Sequence, residues 1–296
     1  MSFTMPIPSS ELIINERGAV YHLNLRPEEL ANTVITVGDP DRVASVSRYF
    51  DSIEFKLAHR EFISHTGYIG KRRMTVVSTG IGTDNIDIVL NELDALVNID
   101  LSTRLPLEQH QVLQIIRIGT SGSLQADIGV DEFVASSHSI GIDNLLAFYQ
   151  RDTNMADLEI LQAFVQHTRI DSIGIQPYIA PASISLLKNF VTNFHQGITI
   201  TTPGFYGPQG RILRLKTALP TLVDSLTDFH YGNFRATNFE METSAIYGLG
   251  KLLGHSCLSL SAIVANRVSQ EFSTQASATI DRLIRKTLQI LSDIEH

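Results

Sequence analysis

Three glycine-containing segments, Gly38-Asp39-Pro40-Asp41-Arg42, Ser78-Thr79-Gly80-Ile81-Gly82 and Arg117-Ile118-Gly119-Thr120-Ser121-Gly122, follow or end apolar, β-branched runs. Read as turns at strand ends, they would let backbone N–H groups approach an anion with no Cβ in the way. Taken singly, each also reads as a plain turn. Arg117 asks for more, because it sits inside the apolar run QIIRIGT. A buried guanidinium is costly unless paired. Phosphate would pair it bidentately, and a carboxylate such as Glu92 or Glu240 would serve as well.

Two further clusters carry polar chemistry. Phe205-Tyr206-Gly207-Pro208-Gln209-Gly210-Arg211 sets an aromatic ring, an amide and a guanidinium in a loop rich in glycine and proline. Such a set can stack on a flat heterocycle and read its edge, since glutamine both donates and accepts while arginine donates only. The same segment also reads as a surface turn. In Asn238-Phe239-Glu240-Met241-Glu242-Thr243-Ser244-Ala245, an extended backbone would put Glu240 and Glu242 on one face. There a carboxylate could accept the two vicinal hydroxyls of a ribose, with Met241 against the sugar. The plainer alternative is a helix N-terminus, where Glu242 meets the positive end of the dipole. No Walker loop, no G-x-G-x-x-G at a strand end, no G-x-S-x-G elbow, and no H-E-x-x-H or comparable ligand cluster among the ten histidines occurs. What is left suits a phosphate and a polyol side by side, without a metal.

The elements that must hold these groups alternate between strands and helices, the pattern of a sheet covered on both faces. Strands are predicted at Thr33–Val37, Met74–Ser78, Val112–Ile118 and Ser256–Ala265. Weaker ones are predicted at Glu132–Ser136, Ser172–Ile175 and Ile198–Thr202. Helices are predicted near Arg42–Phe50, Asn85–Leu96 (capped by Asp84), Met155–His167, Ala182–Phe194, Thr243–Leu253 and Ala276–Ile294. In open α/β sheets ligands bind beyond the carboxyl ends of the strands, which is where the three glycine segments would fall. The expectation is a single α/β domain over 1–296 with a mixed central sheet flanked by helices. The long polar stretch Val97–Gln114 looks like an insertion. The net charge of −8 and the lack of a basic run argue against nucleic acid as a partner. The single cysteine, Cys257, forms neither an internal disulfide nor a cysteine-based zinc site. No apolar run is long enough to span a membrane, and Met1–Glu11 lacks the pattern of a secretory signal. A cytoplasmic setting is expected.

GDPDR, HREF (His59–Phe62), STGIG, RIGTSG, FYGPQGR, NFEMETSA and ANR (Ala265–Arg267) follow one another in the order seen in the nucleoside phosphorylase family. The chain resembles that family over roughly Tyr21 to Ser269, and the uridine phosphorylase branch most. The resemblance implies a phosphate site of Gly38, Arg42, Arg117 and Thr120, with Arg60 from a neighbouring subunit. It implies ribose contacts from Thr120, Met241 and Glu242, with His22 of the neighbour on the 5′-hydroxyl. Phe205 would lie against the base, and Gln209 with Arg211 would bond a uracil edge. The implied reaction is phosphorolysis of a pyrimidine nucleoside, with inorganic phosphate as co-substrate and no cofactor. A purine nucleoside phosphorylase, a nucleosidase and a non-catalytic nucleoside-binding relative are the alternatives. Purine-specific relatives tend to carry an aspartate near Asn266-Arg267. The implied assembly is a homo-oligomer, at least a dimer and in this branch usually a hexamer. A potassium ion at some family interfaces would map to Glu61, Ile81 and Asn85, where the bacterial pattern has serine at the last position.

Overall fold

The computed structural model describes residues 5–294, so the first residues of the Met1–Glu11 stretch lie outside it. After a short 3-10 turn at Pro27–Glu29, the first strand is β1 (Thr33–Val37), buried along its whole length. The Asp39 carboxylate then accepts from the Asp41 N–H and caps α1 (Pro40–Ser47), with proline in the first turn where its missing N–H costs nothing. An antiparallel meander follows: β2 (Ser52–His59), β3 (Phe62–Ile69) and β4 (Arg72–Ser78). α2 (Thr83–Asn98) leads into a small ribbon of β5 (Ile99–Asp100) and β6 (Leu105–Pro106). Next come β7 (Gln114–Ser123), β8 (Phe133–Gly141), α3 (Met155–Thr168), β9 (Tyr178–Pro181) and the single turn α4 (Ile184–Leu187). β10 (His195–Thr201), α5 (Leu222–Asp228), β11 (His230–Tyr231) and β12 (Phe234–Glu240) lead to α6 (Thr243–Leu252). β13 (Ser256–Asn266), β14 (Glu271–Phe272) and α7 (Ala276–Asp293) complete the chain.

Twelve strands make one mixed sheet in the order β11-β12-β10-β8-β13-β7-β1-β4-β3-β2, with β9 on β8 and β14 on β13. β1 runs parallel to both β4 and β7, and β7 runs parallel to β13. β10 runs parallel to both of its neighbours, β8 and β12, while β8 meets β13 antiparallel. β12 also pairs with β7, Asn238 opposite Ser123 and Phe239 opposite Gly122. Strands β7, β13, β8, β10 and β12 therefore close into a ring, and the candidate residues gather where it closes. Helix α7 lays its stripe of Leu283, Ile284, Leu288 and Leu291 against β7 and β13. Helix α6 packs on β8, β9, β10 and β13. The fold is the expected single α/β domain with a mixed sheet flanked by helices.

Several local expectations are corrected. Gly119–Gly122 is strand, not turn, because both β12 and β13 hydrogen-bond to it. α2 starts at Thr83 with Gly82 at its N-cap, so Asp84 does not cap it: Gly82 adopts φ +101°, where a Cβ is disfavoured, and turns the chain into the helix. Ser172–Ile175 is no strand; a 3-10 turn occupies Ile170–Ile173, and Tyr178–Pro181 takes the place beside β8. The helix expected over Ala182–Phe194 shrinks to Ile184–Leu187. There the Asn189 side chain donates to the Ser185 and Leu186 carbonyls that a continuing helix would use. The hairpin β2–β3 went unanticipated, since Ser52–His59 alternates exposed and half-buried residues and has no apolar run. The start of the supposed insertion, Val97–Asn98, belongs to α2.

Candidate active site

A cavity of about 710 Å³ opens at the ring closure. Gly38 and Arg42 reach it from the β1–α1 turn, Arg117 and Thr120 from β7, and Met241 and Glu242 from the β12–α6 junction. Phe205, Gln209 and Arg211 line it from the loop after β10, and Glu61, Ile81 and Asn85 stand at its border. Twelve of the fourteen expected site residues thus meet in one place.

The floor is an ion cluster. The Arg117 Nη2 donates to Glu242 and lies 3.1 Å from Glu240 Oε2, with all three side chains buried. Burial alone would lower the arginine pKa, but the two carboxylates outweigh it and hold the guanidinium charged. Burial pushes the Glu242 carboxyl above its usual range against the pull of Arg117, and Glu240 adds to the rise. The second terminal nitrogen of Arg117, Nη1, is buried with no acceptor. A buried charged donor without a partner calls for one, and a bound anion or an ordered water at Nη1 would supply it. Across the cavity, burial and then the like charge of Arg117 lower the pKa of Arg42. Two mutually repelling guanidinium groups, one with an unsatisfied donor, make a site for an anion.

Local sequence explains how this cluster forms. Gly119 is required by Arg117 itself: a Cβ there would lie 1.9 Å from Nη1, so only glycine lets the guanidinium lie over the strand. The Gly82 N–H donates to Glu242 Oε1 at 2.8 Å. The two glutamates divide their labour in a way their spacing did not reveal. Glu240, not Glu242, caps α6, accepting from the N–H groups of Glu242 and Thr243 and from Thr201 Oγ1. That leaves Glu242 pointed at the cavity.

The opposite wall is flat and aromatic. The Arg211 guanidinium sits 3.7 Å from the Phe205 ring centroid and donates to Phe205 O and to Gln209 Oε1. The buried Gln209 donates to Thr202 Oγ1 at 2.9 Å, and Arg267 donates to its backbone carbonyl at 2.8 Å. Burial, and then the like charge of Arg267, lower the pKa of Arg211. Asn266, in contrast, is spent on structure. It donates to Gln125 O and Ile128 O and accepts from Val268 and Ser269 N–H groups.

Two expected residues lie elsewhere on the same chain. His22 is held by Glu92, which also accepts the His22 and Leu23 N–H groups. Arg60, at φ +55°, lies over Tyr21, and His59 contacts His22 O. Neither His22 nor Arg60 lines the chain's own cavity. Phe239 was missed as a site residue. It backs both Arg211 and Arg267 at 5.7 and 5.6 Å, and its place within NFEMETSA, next to Glu240, was the available signal.

A histidine cluster was missed as well, because it joins distant segments: Asp94, His110 and His255 gather at the end of α2. It is a poor metal centre as built. His255 Nδ1 accepts from the Leu113 N–H at 3.2 Å, so Nε2 bears the ring proton and faces Asp94 Oδ1 at 3.3 Å. A metal at Nε2 would need the opposite tautomer.

Comparison with known proteins accords with this geometry. A uridine phosphorylase of Thermococcus kodakarensis is 28% identical over 287 residues, covering 96% of this chain and 91% of that protein. A DeoD-type purine nucleoside phosphorylase of Streptococcus suis is 25% identical over 268 residues, 86% of this chain and 90% of that protein. Among solved structures, a nucleoside phosphorylase of Trypanosoma brucei, described as showing uridine phosphorylase activity, superposes with a TM-score of 0.87. It is 31% identical over 96% of this chain and 100% of its own. Residues 32–293 match the family described as the phosphorylase superfamily, and the chain belongs to it.

Proposed function

We propose that the protein splits a pyrimidine nucleoside, uridine foremost, with inorganic phosphate to give the free base and ribose 1-phosphate. The observation that carries phosphorolysis is the buried Arg117, charged, held by two carboxylates and left with an unsatisfied Nη1 donor beside Arg42. Phosphate on Arg42, Arg117 and the Gly38 and Thr120 segments attacks C1′ as the glycosidic bond lengthens. The sugar becomes oxocarbenium-like, and phosphate with Glu242 stabilises that charge. Positioning of the two reactants supplies much of the remaining rate. Glu242 and Met241 take the ribose face. Phe205 stacks on the ring, and Arg211 with Gln209 stabilises the departing pyrimidine anion. His22 and Arg60 belong to the cavity of a second subunit, which makes the working unit at least a dimer. A potassium ion among Glu61, Ile81 and Asn85 is part of the same reading.

Incubation of uridine, thymidine and inosine with and without phosphate, followed by chromatography, tests the proposal. Loss of uridine only with phosphate is expected. Phosphate-independent cleavage would make the protein a nucleosidase, preference for inosine would make it a purine enzyme, and no cleavage at all would refute the reading.

A further inference from the structure

Behind the base loop lies a second and larger cleft, of about 880 Å³, whose lining shares only Arg211 with the cavity described above. Ile142, Ile170 and Ile173 line it, together with Leu213, Leu215 and Leu219 from the segment between the loop and α5. Leu213 and Leu215 are 75% and 83% exposed. Exposed apolar side chains grouped in one groove mark a binding surface more often than chance. The cationic members of the lining are Arg211, Arg214 and Lys216, and no lining residue is acidic. Among the described residues, none of the three forms an ion pair with a carboxylate.

An apolar trough with uncompensated positive charge is complementary to one chemical class. We propose that the cleft binds a small apolar carboxylic acid, its hydrocarbon body against the isoleucines and leucines and its carboxylate among Arg211, Arg214 and Lys216. The cations favour a carboxylate over a neutral apolar ligand, and the exposed leucines favour a hydrocarbon body over a purely polar anion. Tyr206, Gly207, Pro208 and Arg211 belong to both the cleft and the base loop. A carboxylate that draws on Arg211 competes with its hydrogen bond to Gln209, so occupancy weakens nucleoside capture. This second part rests on the pyrimidine reading; binding itself does not.

Calorimetry of the full chain with octanoate, hexanoate, octanol and octyltrimethylammonium tests the proposal. Octanoate is expected to bind saturably, one per chain. Hexanoate is expected to bind about three- to tenfold more weakly, since two methylenes leave a half-open apolar site. The alcohol and the cation should bind at least about tenfold more weakly than octanoate. Arg214→Glu/Lys216→Glu and, separately, Leu215→Asp should each weaken octanoate at least about tenfold. Neither variant touches the catalytic machinery, so near-ultraviolet circular dichroism and basal uridine turnover should be unchanged. Absence of saturable octanoate binding, equal affinity for octanol, or wild-type affinity in both variants would overturn the proposal. A change of molar mass in light scattering for Leu215→Asp would assign the cleft to contact between copies, and overturn it likewise. A raised uridine KM with octanoate supports the coupling, and an unchanged KM at saturating octanoate overturns the coupling while leaving binding intact.

Discussion

Arg117→Ala separates the part we propose for this arginine in catalysis from its part in the fold. The side chain neutralises two buried carboxylates, Glu240 at 3.1 Å and Glu242 closer still. Its removal leaves two like charges facing each other in a dry site. Breaking a buried ion cluster by deleting one partner costs about 3–5 kcal/mol, a large share of the roughly 5–15 kcal/mol that holds a domain together. At about 2 °C per kcal/mol for a chain of this size, the melting temperature should fall by about 6–10 °C. The loss should depend on pH. Burial and Glu240 already raise the Glu242 carboxyl, and without Arg117 nothing of comparable strength opposes them. A carboxyl whose folded pKa is raised adds stability below its unfolded value near 4.5 and loses it as pH climbs through the folded value. Acidification from pH 8 should therefore restore stability to the variant by up to about 1.4 kcal/mol per pH unit within that window. Arg117→Met/Glu240→Gln/Glu242→Gln removes the charges together and should recover most of the stability while remaining inactive. Urea unfolding at pH 8 and pH 5.5, beside uridine phosphorolysis, measures both roles. A variant within about 1 kcal/mol of wild type at pH 8, or one whose deficit ignores pH, would refute the assignment of Arg117 as the counterion of this cluster.

Gly119→Ala puts a methyl 1.9 Å from Arg117 Nη1 and must displace the guanidinium; kcat/KM should fall at least about 100-fold in steady-state assays, as expected for a misplaced anion donor. Asn266→Asp, the substitution that would imitate purine-specific relatives, should confer no inosine cleavage. It sets a carboxylate against the Gln125 and Ile128 carbonyls and should cost about 2–4 kcal/mol in urea unfolding. Inosine turnover by a stable Asn266→Asp protein would show that the residue reaches the base. Arg60→Ala and Glu242→Gln should each be inactive alone. Refolded as an equal mixture, they should recover about a quarter of wild-type activity, because one site of each mixed dimer is intact; no recovery would place Arg60 outside the partner's site.

The parts of this site legible in the sequence are those whose signal is local. The run TVITV had to be a strand buried on both faces, and Arg117 inside QIIRIGT had to find a negative partner; both hold. Gln209 and Arg211 stood out as an amide and a guanidinium beside an aromatic ring in one loop, but the same loop also read as a surface turn, and only the fold brings them to the cavity. What stayed hidden was decided by partners far away in the chain. RIGTSG looks like a turn until β12 and β13 pair with it, and only then does Gly119 acquire its reason, which is the space taken by Arg117. The spacing of Glu240 and Glu242 put both on one face but could not assign their roles. The split depends on Thr201, some forty positions earlier, and on the Gly82 N–H, which together leave one carboxylate to cap α6 and the other for the cavity. The histidines meeting Asp94 were invisible for the same reason. Arg117 therefore serves two ends at once. The closure of β12 on β7 brings two carboxylates together, the arginine makes that closure tolerable, and the donor it has left over is the one the proposed chemistry requires.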